Sequence, residues 1–253
     1  MSLGQGLHGL QASVPGSGEG RAASRSLAMA PHRIRRYQES DREGVLDLFW
    51  KGLDEYTSPT FHYLLRLPRV LVPLLGGPLA LLLVSGSWVL ALVTCLTLLA
   101  ALRFIAKYPW TSFGVITLNT DMSDITQTYF SERGSCFWVV ECEGQVVGMV
   151  GCLPAEESAL HRKRLQLLHL FVALEHRGQG MAKALTRTVL QFARDQGYQE
   201  VALSTSRLQP SALGLYQGLG FQETHEFYYS WIWRLIAVPG VYFLYRLRQP
   251  RGP

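Results

Sequence analysis

The stretch 165–197, LQLLHLFVALEHRGQGMAKALTRTVLQFARDQG, decides the fold of this chain. An apolar run over 165–172 predicts a buried strand, and apolar residues at helical spacing predict an amphipathic helix over 180–197. The glycines of the intervening turn, RGQGMA (177–182), permit backbone conformations that other residues resist. Unpaired amides at a helix start, at the positive end of the helix dipole, form a site for an anion such as a pyrophosphate.

A glycine turn of this kind also joins many strands to helices without binding anything, so a second motif is needed. Residues 212–221, ALGLYQGLGF, predict a short helix that presents Tyr216 and ends at Gly220. The turn resembles motif A of the GCN5-related N-acetyltransferases, [R/Q]-x-x-G-x-[G/A], with Arg177, Gly180 and Ala182 in register. ALGLYQGLGF resembles motif B, A-x-x-L-Y-x-x-x-G-F, at every position.

The resemblance implies an α/β fold with a mixed, mostly antiparallel sheet flanked by helices, and acetyl-CoA as co-substrate. In that family two parallel strands separate beyond motif A, and the acyl-carrying arm of coenzyme A lies in the gap. Gln209 occupies a position where the family often has Asn. The cofactor-binding residues implied by the resemblance are Leu170, Phe171, Val172, Arg177, Gly178, Gln179, Gly180, Met181, Ala182, Gln209 and Tyr216.

Catalysis of acyl transfer to an amine requires a proton donor and a proton acceptor. The family tyrosine, here Tyr216, donates a proton to the departing thiolate, and its other interpretation is a core anchor. The amine must lose a proton to a carboxylate, an imidazole or an ordered water. His169 and Glu175 are our candidates, with His176 and Glu141 as further possibilities. Each also has a plain structural interpretation: His169 as a core histidine, and Glu175 as a solvated loop residue.

Composition narrows the classes of partner and excludes some sites. The net charge of +5 is carried by 20 arginines and 4 lysines, which are scattered and predict a basic surface near cofactor phosphates or lipid headgroups. Basic and aromatic residues do not interleave, so we expect no nucleic-acid partner. The four cysteines have neither disulfide nor metal spacing, so we expect no metal. Cys136 and Cys152 are able to face each other across a hairpin as buried free thiols.

A run of 33 uncharged residues, 70–102, interrupts the domain. It is bounded by Arg66 and Arg69 on one side and by Arg103 and Lys107 on the other. Its length predicts a membrane segment, which we set at 62–106, with the lipid bilayer as a partner. A single span remains possible, but a hairpin that bends at 76–78 or 85–87 keeps both halves of the domain on one side. We therefore favour the hairpin and an active site on the cytosolic face.

The remaining sequence predicts the outer boundaries. Residues 1–28 are rich in Gly and Ser and are expected to be a disordered extension, with Met29 as an alternative start. The acetyltransferase domain is set at 32–234, and 235–253 at a hydrophobic and basic tail, which lies on a membrane or packs as a last strand. The other predicted elements are a strand at 33–38, a helix at 41–53 capped by Ser40 and Glu43, a helix at 121–130, a hairpin of 135–143 and 145–153, and a strand at 200–206.

The stretches GGPLALLLVSGSW, DMSDIT, ERGSCFWV and LQFARDQGY resemble the camello-type membrane N-acetyltransferases. That family includes the cysteine S-conjugate N-acetyltransferase of mercapturate formation and lysine acetyltransferases of the endoplasmic reticulum. The resemblance implies an endoplasmic reticulum membrane, with the Golgi intermediate compartment as a second location, and an amine acceptor on an amino acid conjugate or a protein lysine. An inactive, membrane-anchored scaffold in adhesion or trafficking is the alternative from another class. The oligomeric state stays open.

Overall fold

Seven strands form one mixed sheet in the computed structural model, which describes residues 32–131, 133–155 and 163–247. The spatial order is β1-β2-β3-β4-β5-β7-β6, and the pairing is antiparallel except between β4 and β5. This confirms the predicted fold class. The predicted disordered extension, 1–28, lies outside the described residues. The strands are β1 (His32–Arg36), β2 (Cys136–Cys142), β3 (Gln145–Pro154), β4 (Arg164–Val172), β5 (Glu200–Ser206), β6 (Gln222–Phe227) and β7 (Gly240–Arg246).

Helices flank the sheet on both faces. Phe137 and Val139 on β2 belong to a core that includes Phe49 of α1, whereas Trp138, between them, packs on Phe192 of α6 with ring centroids 5.2 Å apart. Alternate strand residues point to opposite faces, so α1 and α6 cover opposite sides. The helices are α1 (Arg42–Asp54), α2 (Thr57–Leu65), α3 (Pro68–Ser85), α4 (Trp88–Leu118), α5 (Ile125–Phe130), α6 (Met181–Asp195), α7 (Pro210–Leu219) and α8 (Trp231–Leu235).

The start of α1 differs from the predicted capping box. A 3-10 turn, Glu39–Asp41, precedes the helix, and Asp41 accepts a hydrogen bond from the Gln38 amide at 2.9 Å. Arg35 also donates to both oxygens of Asp41, at 2.6 and 2.7 Å. The carboxylate of Asp41, rather than the hydroxyl of Ser40, therefore fixes this helix start, because it is tied to β1 as well.

The uncharged run folds as two helices that pack against each other, α3 and α4. The chain reverses at Gly86, whose φ of +64° suits glycine, and Ser87 caps α4 by accepting from the Leu90 amide. This is one of the two predicted bend positions. By length and composition both helices are candidate membrane spans, and only 6% and 11% of the residues in their most apolar stretches are buried. The reversal returns the chain to the side from which it left.

Helix α4 continues without a break past residue 106, where we set the end of the membrane segment, to Leu118. Its second half is built into the domain. Trp110 is only 6% exposed and stacks on Tyr56 with centroids 4.8 Å apart. The buried positions of this half are Leu102, Ala106, Pro109, Trp110, Gly114 and Thr117.

The chain after residue 234 is not a separate tail. Strand β7 inserts between β5 and β6 and pairs with both, from Gly240 to Arg246. The predicted domain boundary at 234 is therefore wrong, and the alternative in which this stretch packs as a last strand is correct. Residues 248–253 lie outside the described part of the chain. Strand β1, from before the hairpin, pairs with β2 from beyond it, so a single sheet joins both sides of the insertion.

Candidate active site

A gap between β4 and β5 forms the centre of the site. Their parallel pairing covers three residue pairs, from Arg164 with Glu200 to Gln166 with Ala202. Beyond Gln166 the two strands separate, and a cavity of about 310 Å³ lies between residues 166–171 of β4 and 204–206 of β5. The backbone edge of β4 that faces the cavity is therefore available to pair with an extended ligand.

A β-bulge in β4 changes which way its side chains point. Met149 and Gly151 of β3 are paired with Phe171 and Leu168, so one residue of β3 faces two of β4, His169 and Leu170. His169 has a φ of +51°, which costs a residue with a side chain on the order of 1 kcal/mol. The regular strand alternation does not hold at a bulge, and His169 is among the residues that line the cavity, with a side chain that is 5% exposed.

His169 is held by a carboxylate from a distant part of the chain. Its Nε2 lies 2.5 Å from Oδ2 of Asp121, in the segment between α4 and α5. The same oxygen accepts a hydrogen bond from the Tyr129 hydroxyl at 2.5 Å, and Oδ1 accepts one from Thr120 at 3.2 Å. Burial acts to raise the pKa of Asp121, but the bonds from His169 and Tyr129 outweigh it and lower that pKa. Asp121 is therefore a carboxylate at neutral pH.

Aromatic side chains form most of the cavity wall. Tyr56 stacks on Trp110, which meets Trp233 of α8 edge-on with centroids 4.9 Å apart. Trp110 also donates from Nε1 to the Thr60 hydroxyl at 2.8 Å, which fixes the indole. An apolar or aromatic substituent suits such a wall. The aromatic lining residues are Tyr56, Trp110, Phe113, Phe171, Tyr216, Tyr229 and Trp233.

Tyr216 projects from α7 into this cavity and is 5% exposed. Burial, together with the neighbouring Tyr56 and Tyr229, raises its pKa, so the phenol stays protonated and able to donate at neutral pH. Gln209, just before α7, uses its side-chain oxygen within the protein: it accepts from the Thr205 hydroxyl at 2.5 Å and from the Ser206 amide at 3.1 Å. Gln209 thus ties the end of β5 to the start of α7 at the edge of the cavity.

The glycine turn precedes α6 at the end of β4. Gly178 and Gly180 have φ values of +76° and +80°, and an added Cβ would meet no atom within 4 Å at either one. Backbone conformation, rather than lack of space, therefore requires glycine here. Met181, the first residue of α6, is 2% exposed and anchors the helix, while Gln179 and Gly180 are exposed. The turn before α6 is exposed, so an anion can reach the amides at the start of the helix.

Arg177 braces this turn instead of projecting freely from it. Its Nε donates to the Val172 carbonyl at 3.0 Å, and its Nη2 lies 2.6 Å from Glu55 at the end of α1. The guanidinium thus joins the last residue of β4 to α1. A cation remains within a few residues of the helix start, and its geometry is set by two partners from the protein.

The structure brings together one acid and one base candidate and leaves the others apart. Tyr216 and His169 line the same cavity, with Leu170, Phe171 and Gln209. Glu175 and His176 fall in an exposed to half-buried 3-10 turn, Leu174–His176, and Glu175 lines a different surface groove with Lys51 and Asp54. Glu141 on β2 is paired with Arg35 at 2.6 Å. These three residues do not lie at the cavity.

The residues that reach the cavity from distant parts of the chain were not predicted from the sequence. Asp121 was considered only as the start of a predicted helix, although α5 begins at Ile125, after the cap residue Asp124. The aromatic wall comes from the α1–α2 connection, α4 and α8. No local spacing pattern marks such residues, because only the folded chain brings them together.

Known proteins resemble this chain in sequence and in fold. The model of the Acetyltransferase (GNAT) family matches residues 102–221. Human N-acetyltransferase 8B is 61% identical over 220 residues, which cover 87% of this chain and 96% of that protein. Mouse N-acetyltransferase family 8 member 7 is 53% identical, over 88% of this chain and 98% of that protein. A GNAT-family acetyltransferase structure from Staphylococcus aureus Mu50 has a TM-score of 0.51 at 15% identity, over 86% of this chain and all of that one, which shows a shared fold.

These similarities agree with the geometry of the splayed strands, the glycine turn and Tyr216. The identity to the curated relatives extends over nearly their whole length, so it includes the hairpin as well as the catalytic sheet. The chain belongs to the camello-like family 8 N-acetyltransferases of the GNAT superfamily and is an acetyl-transferring enzyme.

Proposed function

We propose that this enzyme moves an acetyl group from acetyl-CoA to a primary amine that carries an apolar substituent, with the α-amino group of a cysteine S-conjugate as the preferred acceptor. The observation that carries the proposal is the cavity between β4 and β5, because it joins an unpaired strand edge to an aromatic wall. The strand edge at 170–172 takes the pantetheine arm, and the turn at 177–182 takes the pyrophosphate. The aromatic wall takes the acceptor.

The reaction then proceeds by direct attack of the amine on the thioester. The ammonium form loses one proton, and the neutral nitrogen forms a bond to the carbonyl carbon as the carbon–sulfur bond breaks. Tyr216 gives its proton to the departing thiolate and regains one that the new amide nitrogen releases. His169, on the bulge, is the group placed to take the first proton. Backbone amides of β4 near the bulge are suited to stabilise the oxyanion.

The acceptor class follows from the chemistry of the wall. Tyr56, Trp110 and Trp233 offer ring faces and edges, and no carboxylate that would bind the ammonium of a lysine-rich peptide lines the cavity within the described residues. Protein lysine acetylation in the endoplasmic reticulum is the second candidate. Only the resemblance supports this second candidate. The wall does not favour it, because a lysine side chain buries less apolar surface there than an S-linked aromatic group does.

The exposed apolar hairpin supports a membrane location. From Trp88, α4 runs 14 residues before Leu102 becomes buried in the protein, which is about 21 Å of helix, and α3 measures about 27 Å. Both lengths are short of the roughly 30 Å hydrocarbon core, as in a re-entrant hairpin. Because β1 and β2 pair across the insertion, both ends of the hairpin must stay on one side of the bilayer. We place that side in the cytosol, at the endoplasmic reticulum or the Golgi intermediate compartment.

Helix α8 packs against the buried half of α4 and carries exposed apolar side chains of its own. Trp231 and Leu235, one turn apart, are 73% and 61% exposed, while Trp233 between them packs on Trp110 of α4. Arg234 on α8 and Arg103 on α4 are exposed and suited to lipid phosphates. The acceptor cavity lies between α8 and α4, so an apolar acceptor that partitions into the membrane surface has a short path to it.

The catalytic and cofactor-binding assignments are tested by three variants. Tyr216→Phe is expected to lower kcat by about 100-fold with unchanged acetyl-CoA affinity in calorimetry, because only proton donation is lost. Gly180→Glu is expected to abolish acetyl-CoA binding, since it adds a negative charge and a strained backbone at the turn. Gly218→Glu in α7, where a Cβ also meets no atom within 4 Å, is the matched control that should keep binding. Full turnover by Tyr216→Phe removes Tyr216 from the acid role.

The acceptor assignment is tested by comparing S-benzylcysteine, S-methylcysteine and a lysine peptide as substrates. We expect kcat/KM to fall in that order, with at least a tenfold drop from the benzyl to the methyl compound, because about 100 Å² less apolar surface is buried. A higher kcat/KM for the lysine peptide favours the second candidate.

For topology, epitope tags at the two chain ends are exposed to protease in intact microsomes, and opposite accessibility of the tags contradicts the hairpin.

A further inference from the structure

We propose that Asp121 is a positioning residue for acetyl transfer: it holds the His169 imidazole in the one tautomer and orientation that accepts a proton from the acceptor amine. The inference rests on the proposed function and adds a residue and a division of labour to it. The three side chains Asp121, Tyr129 and His169 are called the proton-acceptor cluster below. They come from the α4–α5 connection, α5 and β4.

The hydrogen bonds of Asp121 fix the tautomer of His169. An ionised carboxylate only accepts, so the proton between Asp121 Oδ2 and His169 Nε2, 2.5 Å apart, belongs to Nε2 in the neutral ring. Nδ1 is then the basic nitrogen. When Nδ1 takes a proton, the imidazolium that forms is already paired with a buried carboxylate, which stabilises the positive charge where water is scarce.

The remaining members of the cluster keep Asp121 in place and ionised. Tyr129 is fully buried, and burial followed by the Asp121 charge raises its pKa, so it remains a neutral donor to Oδ2. The exposed Thr120 hydroxyl lies 3.2 Å from the other oxygen. Asp121 cannot rotate away from His169 without leaving the buried Tyr129 hydroxyl unsatisfied, which costs about 1–3 kcal/mol.

The backbone of His169 points to a role beyond packing. A histidine at a φ of +51°, inside a bulge, is an unfavourable conformation that a core residue would have no need to adopt. The bulge lies at the cavity that Tyr216 also lines, and Phe49 packs edge-on against the His169 ring with centroids 5.8 Å apart. Packing on one side and a carboxylate bond on the other leave the ring little freedom.

The proton balance is complete without any further reagent. The ammonium nitrogen gives one proton to His169 Nδ1, which later releases it to solvent. The second proton, from the new amide nitrogen, replaces the one that Tyr216 gives to the thiolate. The other titratable groups that line the cavity are the phenols Tyr56 and Tyr229, whose pKa values are raised by burial, so they do not compete as bases near neutral pH.

The experiment compares Asp121→Asn with Asp124→Asn in the full-length, membrane-bound enzyme, with S-benzylcysteine as acceptor. Asp124, three residues on, caps α5 by accepting from the Gln127 amide at 2.8 Å, so its variant controls for a local loss of structure. We expect Asp121→Asn to lower kcat about 100-fold with acetyl-CoA affinity unchanged, and Asp124→Asn to keep kcat within about threefold. Tyr129→Phe retains the carboxylate and the imidazole, so it should lower kcat less than tenfold.

The pH profile separates positioning from a structural role. Without the carboxylate, His169 loses the partner that orients its ring, so the plateau of the kcat/KM profile of Asp121→Asn should drop. The deficit should shrink as pH rises and the acceptor amine becomes neutral by itself. The double variant Asp121→Asn/His169→Gln should be no slower than His169→Gln alone, because the two residues act as one unit.

Three results overturn the inference. The first is that Asp121→Asn has the same kcat as Asp124→Asn. The second is that the loss of kcat/KM in Asp121→Asn is the same at every pH. The third is that the double variant loses as much activity as the two single variants added together. If Asp121→Asn does not fold, the test passes to Tyr129→Phe. An unchanged kcat together with an unchanged pH profile in Tyr129→Phe also contradicts the role of Asp121. If the unmodified enzyme does not bind acetyl-CoA or shows no turnover, the result is of a different kind. It contradicts the proposed function and, with it, the inference.

Discussion

The two halves of α4 belong to one continuous helix and have opposite surroundings. From Trp88 to Ala101 not one residue is buried, and large side chains such as Leu96 and Val93 are more than half exposed. From Leu102 onward, six positions are buried against α1, α2 and the rest of the core. A single uninterrupted helix therefore belongs to two environments, the exposed hairpin and the acetyltransferase core.

The difference lies in which residues interrupt the apolar sequence. The buried half carries Arg103 and Lys107, which are exposed. Leu102 and Ala106, each one position before them, face inward. Lys107 pairs with Asp54 of α1 at 2.9 Å. The exposed half has no charge at all. Charge at helical spacing marks the surface of a core helix, whereas its complete absence on exposed positions is typical of a helix that faces lipid.

The largest effect is expected from a charge placed on either side of this boundary. Leu102→Asp puts a carboxylate at a position that is 7% exposed, and we expect it to destabilise the domain by more than about 4 kcal/mol, because an unpaired charge loses its hydration. Leu92→Asp, at a position 50% exposed, should leave the domain folded. Urea unfolding in detergent measures both. Equal stability of the two variants would contradict the division of α4.

The next largest effect is on membrane association, for which Leu92 is the sensitive position instead of Leu102. Leu92→Asp is expected to weaken membrane association by about 3 kcal/mol, the cost of a carboxylate inside the hydrocarbon layer, which is roughly a 100-fold shift in partition. Flotation with liposomes of neutral phosphatidylcholine measures it, and Leu92→Ala is the matched control. If Leu92→Asp floats as well as the control, the exposed half does not lie in lipid.

Sequence alone predicted features whose residues are neighbours in the chain. The glycine turn, the β2–β3 hairpin and the reversal at Gly86 each depend on a few consecutive residues with special backbone freedom. The site was predicted to the same extent: Tyr216 lies at a cavity between separating strands, with Leu170 and Phe171. The cofactor roles given to the turn residues stay predictions, as does the base role of His169.

The rest depends on contacts between distant residues. His169 and Asp121 are 48 positions apart, and their bond forms only when β4 and the α4–α5 connection meet. The bulge at His169 interrupts the two-residue alternation of β4, and no local sequence pattern marks it. Strand β7 looked like a tail because its apolar, aromatic composition suits a membrane surface as well as a central strand, and only pairing with β5 decides between them.

A smaller effect is expected from glycines in the two environments. At Gly114, an added Cβ would lie 2.7 Å from the Trp50 ring and 2.8 Å from Leu53, whereas at Gly76 in α3 it meets no atom within 4 Å. Gly114→Ala should destabilise the domain by about 1–2 kcal/mol, because overpacking outweighs the gain in helix propensity. Gly76→Ala should be neutral or slightly stabilising. A thermal melt in detergent that shows the same shift for both would mean that α1 and α4 are not in close contact.

The smallest effect distinguishes the two tryptophans of α4. Trp110→Phe removes the Nε1 bond to Thr60 but keeps an aromatic ring against Tyr56, and Thr60 retains its own bond to the Tyr56 carbonyl at 2.7 Å. The expected loss is therefore about 1 kcal/mol of stability, with a rise of a few-fold in KM for S-benzylcysteine, since the indole is fixed in the cavity wall by that bond. Trp88→Phe, at a position 69% exposed at the hairpin tip, should change neither quantity. A rise in KM for Trp88→Phe equal to that for Trp110→Phe would mean that the acceptor meets the hairpin tip as well as the cavity wall, and the separation of α4 into two environments would no longer hold for the substrate.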